Sequence, residues 1–257
     1  MGTGRLVLRQ IRYTNKAFWR NPASAFFTFA FPLMFLVIFT SLLGSGTVLI
    51  NGVPIEQDRY YLFAMMSFAV ITASYTNLAV SVTFQRDSGV LKRARGTPLP
   101  GSAYLSGRVL HAMAIAVLLV VITSAFGVVV FDTALPTGSR LGEFVVTVLV
   151  GASSFAALGL ATTAVVPNAD AAPAIINAII LPLLFLSGIF IPIGDDAPLW
   201  IRTIGRVFPV RHFAEAMGGS FYGSPLPFKW SDVLVVAAWG LAGLVLAAGF
   251  FSWEPRR

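Results

Sequence analysis

Six long stretches without a charged residue constrain this chain of 257 residues more than any other feature. They lie between Arg20 and Glu56, Arg59 and Arg86, Arg108 and Asp132, Glu143 and Asp170, Asp170 and Asp195, and Asp232 and Glu254. Each is long enough for a helix that crosses a hydrocarbon core, which takes about 20 residues. Only helices or closed barrels satisfy the backbone in lipid, and these stretches are continuously apolar rather than alternating. The sequence therefore predicts an all-α integral membrane protein.

The stretches predict one membrane domain, residues 1–257, with six transmembrane helices. The predicted spans are 22–43, 60–84, 109–130, 144–166, 172–191 and 233–252. They leave three segments outside the spans: an N-terminal segment at 1–21, a loop at 85–101 and a longer segment at 194–230. An even number of spans places both termini on the same side of the membrane.

The positive charges predict the orientation of the chain. The side with both termini carries twelve of the 18 Lys and Arg residues, at positions 5, 9, 12, 16, 20, 86, 92, 93, 95, 108, 256 and 257. The other side carries six, at positions 59, 140, 202, 206, 211 and 229. Because short loops rich in Lys and Arg stay in the cytoplasm, we expect a multi-pass plasma membrane protein with both termini cytoplasmic. The net charge of +7 therefore does not indicate a nucleic-acid partner.

The N-terminal segment has an amphipathic pattern. Its basic residues are Arg5, Arg9, Arg12, Lys16 and Arg20. On a helix with 100° per residue they fall within an arc of about 80°, and Val7, Ile11 and Phe18 fall on the opposite face. We predict a helix in the inner interface, with its basic side toward anionic headgroups and its apolar side toward acyl chains. The alternative is a disordered basic tail that only enforces the topology.

The loop after the second predicted span has the pattern of a short helix. Asp87 or Ser88 can cap its start, and Gly96 and Pro98 end it. Residues that can pack are interleaved with basic residues that stay solvated, namely Val90, Leu91 and Ala94 with Lys92, Arg93 and Arg95. Such a helix at the cytoplasmic tip of two spans is one that a cytosolic motor domain could grip. A positive-inside anchor is the alternative interpretation.

The loop resembles the membrane subunit of type-2 ABC transporters, in particular the daunorubicin-resistance-like drug and lipid exporters. The residues that carry the resemblance are Gly89, Leu91, Lys92, Arg93, Thr97, Pro98, Leu99, Ser102, Ala103, Tyr104 and Leu105. A second matching set is the run 181–192, with the order Pro, Ser-Gly, Pro, followed by 198–200 and 208–213. The resemblance extends over nearly the whole chain. The Arg86-Asp87 pair departs from it, since many members are more acidic at this point.

The resemblance implies two membrane subunits, identical or different, each coupled to a cytosolic ATP-binding subunit. Coupling would involve the interfacial helix and the loop residues Gly89, Val90, Leu91, Lys92, Arg93, Arg95, Thr97 and Pro98. In this interpretation Val90 and Leu91 pack into a groove of the ATP-binding subunit, and Lys92 or Arg93 pairs with acidic groups at its rim. The chain has no Gly-x-x-x-x-Gly-Lys-Ser/Thr phosphate loop. We therefore expect no cofactor and no enzymatic activity on this chain, with ATP and magnesium bound by the partner.

The segment 194–230 is too polar to span and too apolar for a simple loop. The resemblance implies short re-entrant helices that dip into the outer leaflet and close the exit. The candidate residues for this exit gate are Pro182, Ser187, Gly188, Pro192, Pro209, Arg211 and His212. Arg211 and Glu215 are four residues apart and could pair on a helix. An interfacial helix that only seals the bundle is the alternative.

Residue types that the sequence lacks argue against several classes of function. No ionisable residue lies deep in a predicted span, whereas proton-coupled or ion-coupled carriers usually need one. With no Cys and only two His residues, His111 and His212, a metal site is not expected. We predict a permease subunit that exports an apolar or amphipathic drug or lipid. The alternatives are a polysaccharide or glycolipid exporter on the same scaffold, and a membrane scaffold or sensor without transport.

Overall fold

Ten helices and one hairpin make up the described chain, which comprises residues 2–43, 46–50, 53–194, 197–223 and 226–254 of a computed structural model. The helices are α1 (Thr3–Trp19), α2 (Pro22–Leu43), α3 (Gln57–Asp87), α4 (Val90–Arg95), α5 (Gly101–Phe131), α6 (Ser139–Thr162), α7 (Ala172–Phe185), α8 (Leu199–Val207), α9 (Pro209–Tyr222) and α10 (Trp230–Phe250). Strands β1 (Thr47–Ile50) and β2 (Val53–Glu56) precede α3.

Five helices of the described chain, α2, α3, α5, α6 and α10, are long and apolar enough to cross a membrane. Each overlaps a predicted span, and the all-α integral membrane class is thereby confirmed. Helices α3 and α5 have 31 residues each, about 46 Å at 1.5 Å per residue, and both extend beyond the predicted ends. Arg86 therefore lies in the last turn of α3, and Arg108 lies two turns into α5.

Helix α7 is shorter than the span predicted at 172–191. Its 14 residues measure about 21 Å, which is less than a hydrocarbon core of about 30 Å. The helix ends because Gly188 takes a left-handed φ of 81° and the Tyr60 hydroxyl donates to the Gly188 carbonyl. Pro182, one turn before the end, also lacks an N–H for the helical ladder. The count of six spans stays a prediction.

The strands β1 and β2 form an antiparallel hairpin that the sequence analysis did not predict. Thr47 pairs with Glu56 and Ile50 pairs with Val53. The sequence carries a signal for it, because Asn51-Gly52 stands between two runs rich in β-branched residues. The hairpin leads directly into α3, whose second residue, Asp58, accepts a hydrogen bond of 2.7 Å from the Arg59 backbone N–H.

Helix α3 forms the centre of the bundle. It contacts α2, α5, α6 and α9, and its large side chains Tyr61, Leu62, Met65, Met66 and Ile71 are almost completely buried. The outer helices α2, α5 and α10 expose many apolar side chains instead. Lipid tails are as apolar as these side chains, so their exposure is expected of the surface that faces acyl chains.

A π-helical turn at Thr72–Thr76 interrupts α3 where α6 comes closest. A Cβ atom on Gly159 of α6 would lie 2.8 Å from the carbonyl oxygen of Tyr75, so only glycine permits this approach. The Tyr75 hydroxyl lies 3.0 Å from the Thr162 hydroxyl. The turn thus joins the middle of α3 to the last residue of α6, close to the end of the bundle where α4 lies.

Candidate coupling face and outer gate

Helix α4 presents a basic outer face and a buried inner face. The turn before it depends on Gly89, whose φ of 71° is left-handed. Val90, Lys92, Arg93 and Arg95 are exposed. The structure thus places on one surface four of the residues predicted to couple to a partner.

Leu91 does not belong to that surface, because it is completely buried within the chain. It packs in a cluster with Leu78 and Val82 of α3, Tyr104 of α5 and Leu160 of α6. The prediction that Leu91 fills a groove of another subunit is therefore corrected. Its side chain fixes α4 to the bundle from beneath, since the packing sites on neighbouring helices already surround it.

The ends of α4 are stabilised differently from the prediction. Neither Asp87 nor Ser88 caps the start of the helix. Its N-cap residue is Gly89, and no side chain makes a capping hydrogen bond there. At the other end the Thr97 backbone N–H and hydroxyl donate to the Ala94 carbonyl at 3.1 and 2.6 Å. Thr97 and Pro98 are exposed. These two predicted residues therefore close the helix and extend its surface.

Arg86 connects the base of α4 to the end of α6, a contact that sequence reasoning missed. Its guanidinium is 1% exposed and donates to the carbonyls of Thr163 at 2.9 Å, Val166 at 2.6 Å and Pro167 at 3.1 Å. The last carbonyls of a helix have no partner within the helix and carry partial negative charge. The two Nη groups of the buried Arg86 therefore supply donors to three backbone carbonyls at the end of α6 and in the turn that follows it.

Asp87 makes a second connection at the same point. Its Oδ2 atom accepts a hydrogen bond of 2.6 Å from the backbone N–H of Ala169, in the turn between α6 and α7. Arg86 and Asp87 thus bind successive parts of one turn, and they stand three and two residues, respectively, before the Gly89 bend. These contacts therefore connect the base of α4 to the turn between α6 and α7, in addition to the packing of Leu91 against α3, α5 and α6.

Helix α1 carries four exposed basic residues, and the fifth exposed base, Arg20, is its C-cap. Its opposite face packs on α5, where a Cβ on Gly107 would lie 2.6 Å from Cγ of Gln10. Val7, Ile11 and Phe18 are partly buried there. The expectation that this apolar face meets acyl chains is therefore corrected, because it covers another helix of the chain. Tyr13 and Trp19 remain exposed, at 57% and 51%.

The opposite end of the bundle contains a cavity of about 620 Å³ between α3, α9 and the start of α10. Four of the predicted gate residues line it, namely Ser187, Gly188, Arg211 and His212. Pro209 is buried as the first residue of α9, where a missing N–H costs nothing. Pro182 and Pro192 do not line the cavity. The gate role of all seven residues stays a prediction.

Two ion pairs lie in the wall of this outer cavity. Arg211 donates from Nε to Glu215 Oε1 at 2.8 Å, which confirms the predicted pair. His212 Nδ1 lies 2.7 Å from Asp232 Oδ1, and its Nε2 lies 2.9 Å from the Arg206 carbonyl. Both partners of the imidazole are acceptors, so the ring binds them best with both nitrogens protonated. The hydrogen bond to Asp232 raises the pKa of His212 above its ordinary value.

Helix α8 is held against this wall. The Trp239 indole N–H donates to the Val207 carbonyl at 3.0 Å, and its ring stacks on Phe208 with centroids 5.5 Å apart. Together with His212 and its carbonyl partner, these contacts fix the junction of α8 and α9 to α10. Among the described residues, no group of three or more His, Cys, Asp or Glu side chains is placed to hold a metal ion.

Comparison with known proteins relates this arrangement to a transporter family. The family model described as ABC-2 type transporter matches residues 6–222. The chain is 26% identical over 234 residues to YvfS of Bacillus subtilis (strain 168), with 89% of each chain covered. It is 25% identical over 226 residues to ycf38 of Porphyra purpurea, covering 86% of this chain and 75% of that relative. Both relatives are described as candidate transport permeases.

Proposed function

The chain belongs to the ABC-2 type transporter family, and from that premise we propose that this membrane permease exports an apolar or amphipathic substrate with ATP hydrolysed on a separate cytosolic subunit. A permease subunit needs a surface that a motor can move and a rigid route from that surface to the spans. The observation that carries the proposal is the connection of α4 through Arg86 and Asp87 to the turn between α6 and α7.

The exposed face of α4 is the proposed contact with the ATP-binding subunit. Val90 is 38% exposed and contributes apolar area, for which burial of a full Val side chain is worth about 1.5–3 kcal/mol. Lys92, Arg93 and Arg95 contribute charge, but exposed ion pairs are typically worth only about 0–1 kcal/mol each. Assembly therefore depends on Val90 and on several weak charge pairs together rather than on one of them.

The route from α4 into the bundle has a tightly packed part and a less regular part. The buried Leu91 cluster and the polar contacts of Arg86 and Asp87 join α4 to the ends of α3, α6 and α7, so that in our proposal these parts move as one unit. The π-helical turn of α3 and the short α7 are the points where the helical ladder is least regular. We infer that closure of the ATP-binding subunits reaches the outer cavity along α3, because Tyr60 at its other end holds Gly188.

The distribution of charge supports the proposed direction and membrane. Helices α1 and α4 lie at the end that carries most of the positive charge, and loops rich in Lys and Arg stay in the cytoplasm; in our proposal the ATP-binding subunit, both termini and α4 are therefore cytoplasmic, and the protein lies in the plasma membrane. Substrate then leaves at the end that holds α8 and α9. A second membrane subunit, identical or different, completes the translocation path. The apolar surfaces of the spans favour a drug or lipid over a polysaccharide.

Reconstitution tests this proposal. The chain is purified with its ATP-binding subunit, placed in lipid vesicles, and assayed for ATP hydrolysis and for ATP-dependent movement of a fluorescent lipid and a cationic drug. We expect transport that requires ATP, and loss of transport in Val90→Asp with Arg93→Glu. Thr137→Asp, on the exposed loop at the opposite end, is the matched control and should transport normally.

The outcomes separate the candidate functions. Movement of a lipid-linked sugar without movement of drug or lipid would replace the substrate class by glycolipid. Absence of any ATP-dependent transport from a stable complex would favour a scaffold or sensor. Full transport in the α4 variant would show that the ATP-binding subunit does not use this surface.

A further inference from the structure

A second cavity, of about 480 Å³, lies at the cytoplasmic end of the bundle beside the start of α5. Helices α1, α2, α3 and α5 enclose it. Its volume falls within the range of about 300–1,000 Å³ that is usual for small-molecule sites. Neither the coupling route nor the outer gate uses it, and its lining is unusual for a membrane bundle because it contains a buried charge.

The buried charge is Arg108. Its side chain lines the cavity, the residue is 4% exposed, and Nη2 donates to the Ser81 hydroxyl. Its Nε atom has no hydrogen-bond partner within the described chain. None of the described residues that line the cavity is an Asp or a Glu. A buried guanidinium without an anion is costly, so the site is incomplete without an anionic ligand.

A second polar atom points to the same ligand. The Thr14 hydroxyl, on the α1 wall of the cavity, is buried and has no partner within the described residues. Thr14 is 7% exposed, and no other residue of the described helix α1 is buried to this extent. A hydroxyl can donate to a phosphate oxygen and Arg binds phosphate with two parallel N–H groups. The two orphaned groups therefore match a phosphate better than a neutral molecule.

An apolar groove lies next to the cavity, on the other side of Phe18. Phe18 lines the cavity and its ring contacts Phe29 at a centroid distance of 6.3 Å. Phe29, Trp19 and Phe26 line the groove, with Trp19 stacked on Phe29 at 5.7 Å and Phe26 64% exposed. Tryptophan is typical of the membrane interface. A ligand with a polar head and an apolar chain fits both compartments.

We propose that this cavity binds the phosphate of an anionic phospholipid from the cytoplasmic leaflet, with Arg108 and Thr14 as phosphate ligands and an acyl chain in the groove. The exposed bases Arg12, Lys16 and Arg20 lie within two residues along the chain of the lining residues Thr14, Ala17 and Asn21, and positive charge at the inner interface concentrates anionic lipid. An anionic lipid is favoured over a zwitterionic one because none of the described lining residues offers a carboxylate to a choline. The site does not rest on the proposed function, since binding needs neither ATP nor transport.

Native mass spectrometry and thermal melting of the purified transporter test the site. Dioleoyl phosphatidylglycerol is titrated into the wild type, Arg108→Gln and the control Arg140→Gln, whose arginine is exposed at the start of α6. Losing a charged hydrogen-bond donor should weaken lipid binding by about 10- to 100-fold in Arg108→Gln, while Arg140→Gln binds as the wild type does. Lipid should raise the melting temperature of the wild type and not that of Arg108→Gln.

Two further arms keep the proposal falsifiable if Arg108→Gln is unstable. Ala17→Trp fills the mouth from an exposed position and should block lipid binding with Arg108 intact. Dioleoylglycerol, which lacks the phosphate, and millimolar inorganic phosphate should give no Arg108-dependent stabilisation. Equal lipid binding by the wild type and both cavity variants would overturn the site. Stabilisation by inorganic phosphate alone would overturn the assignment to a lipid.

Discussion

Arg86→Met is the change that most sharply tests the connection between α4 and α6. Methionine retains much of the aliphatic volume but cannot donate to the carbonyls of Thr163, Val166 and Pro167. Thr163 and Val166 are 2% and 0% exposed, so water cannot replace the lost donors without entering the bundle. The variant thus leaves buried acceptors unsatisfied at the end of α6.

The size of the effect follows from these contacts. A hydrogen bond to a charged group contributes about 1.5–3 kcal/mol to stability, and such contributions do not add within one side chain. Relief of the buried charge offsets part of the loss, so we expect a net destabilisation of about 3 kcal/mol. At about 2–4 °C per kcal/mol for a domain of this size, the melting temperature should fall by about 6–12 °C.

The assay heats the purified protein in mild detergent and measures the folded fraction by size-exclusion chromatography. Arg93→Met is the matched control, because Arg93 is exposed on α4 and its loss should change stability by less than about 0.5 kcal/mol. Arg86→Lys should fall between the two, since an ammonium group lacks the fork that reaches separate carbonyls. If Arg86→Met has the same melting temperature as Arg93→Met, the contacts with the carbonyls do not hold α4 to α6.

Three other predictions use the same preparations or intact cells. Because its carboxylate partner raises the pKa of His212, that ion pair is fully present below the ordinary histidine pKa of about 6.5 and is lost as pH rises through the raised value. The melting temperature of the wild type should therefore drop over that window by more than that of His212→Asn, and parallel curves would refute the pairing. Leu91→Ala should destabilise the protein by about 2–5 kcal/mol through its cavity, and Val90→Ala should not; the reverse order in melting temperature would place Leu91 outside the core. An impermeant thiol reagent should label Thr137→Cys but not Ser88→Cys in intact cells, and the opposite labelling would invert the topology.

The membrane class and most helix positions could be predicted from the sequence, because long apolar runs have few alternatives in lipid. The end of α7 could not, since Ile189 and Phe190 continue the apolar run while Gly188 and the distant Tyr60 turn the chain. The hairpin before α3 was missed although Asn51-Gly52 signals it. A short apolar strand beside a membrane span is masked by the stronger signal of the span.

The contacts of the candidate site could be predicted only where both partners are close together in the sequence. The Arg211–Glu215 pair is a spacing of four on one helix and was found. Arg86, Arg108 and Asp232 form hydrogen bonds with residues that are at least twenty positions away in the sequence. The sequence alone does not distinguish a charged residue that is solvated at the end of a span from one that is buried there. Leu91 was assigned to a partner because its apolar pattern cannot distinguish an inner face from an outer one.

The most direct test of the central claim, that α4 contacts a cytosolic ATP-binding subunit, is site-specific photo-cross-linking in intact cells. A benzophenone amino acid replaces Arg93 on α4 in one variant and Thr137 on the opposite loop in another, both at exposed positions. The account predicts a cross-linked product from position 93 only, containing peptides of a chain with a Gly-x-x-x-x-Gly-Lys-Ser/Thr phosphate loop. The same product from position 137, or none from position 93 in an active transporter, would contradict it.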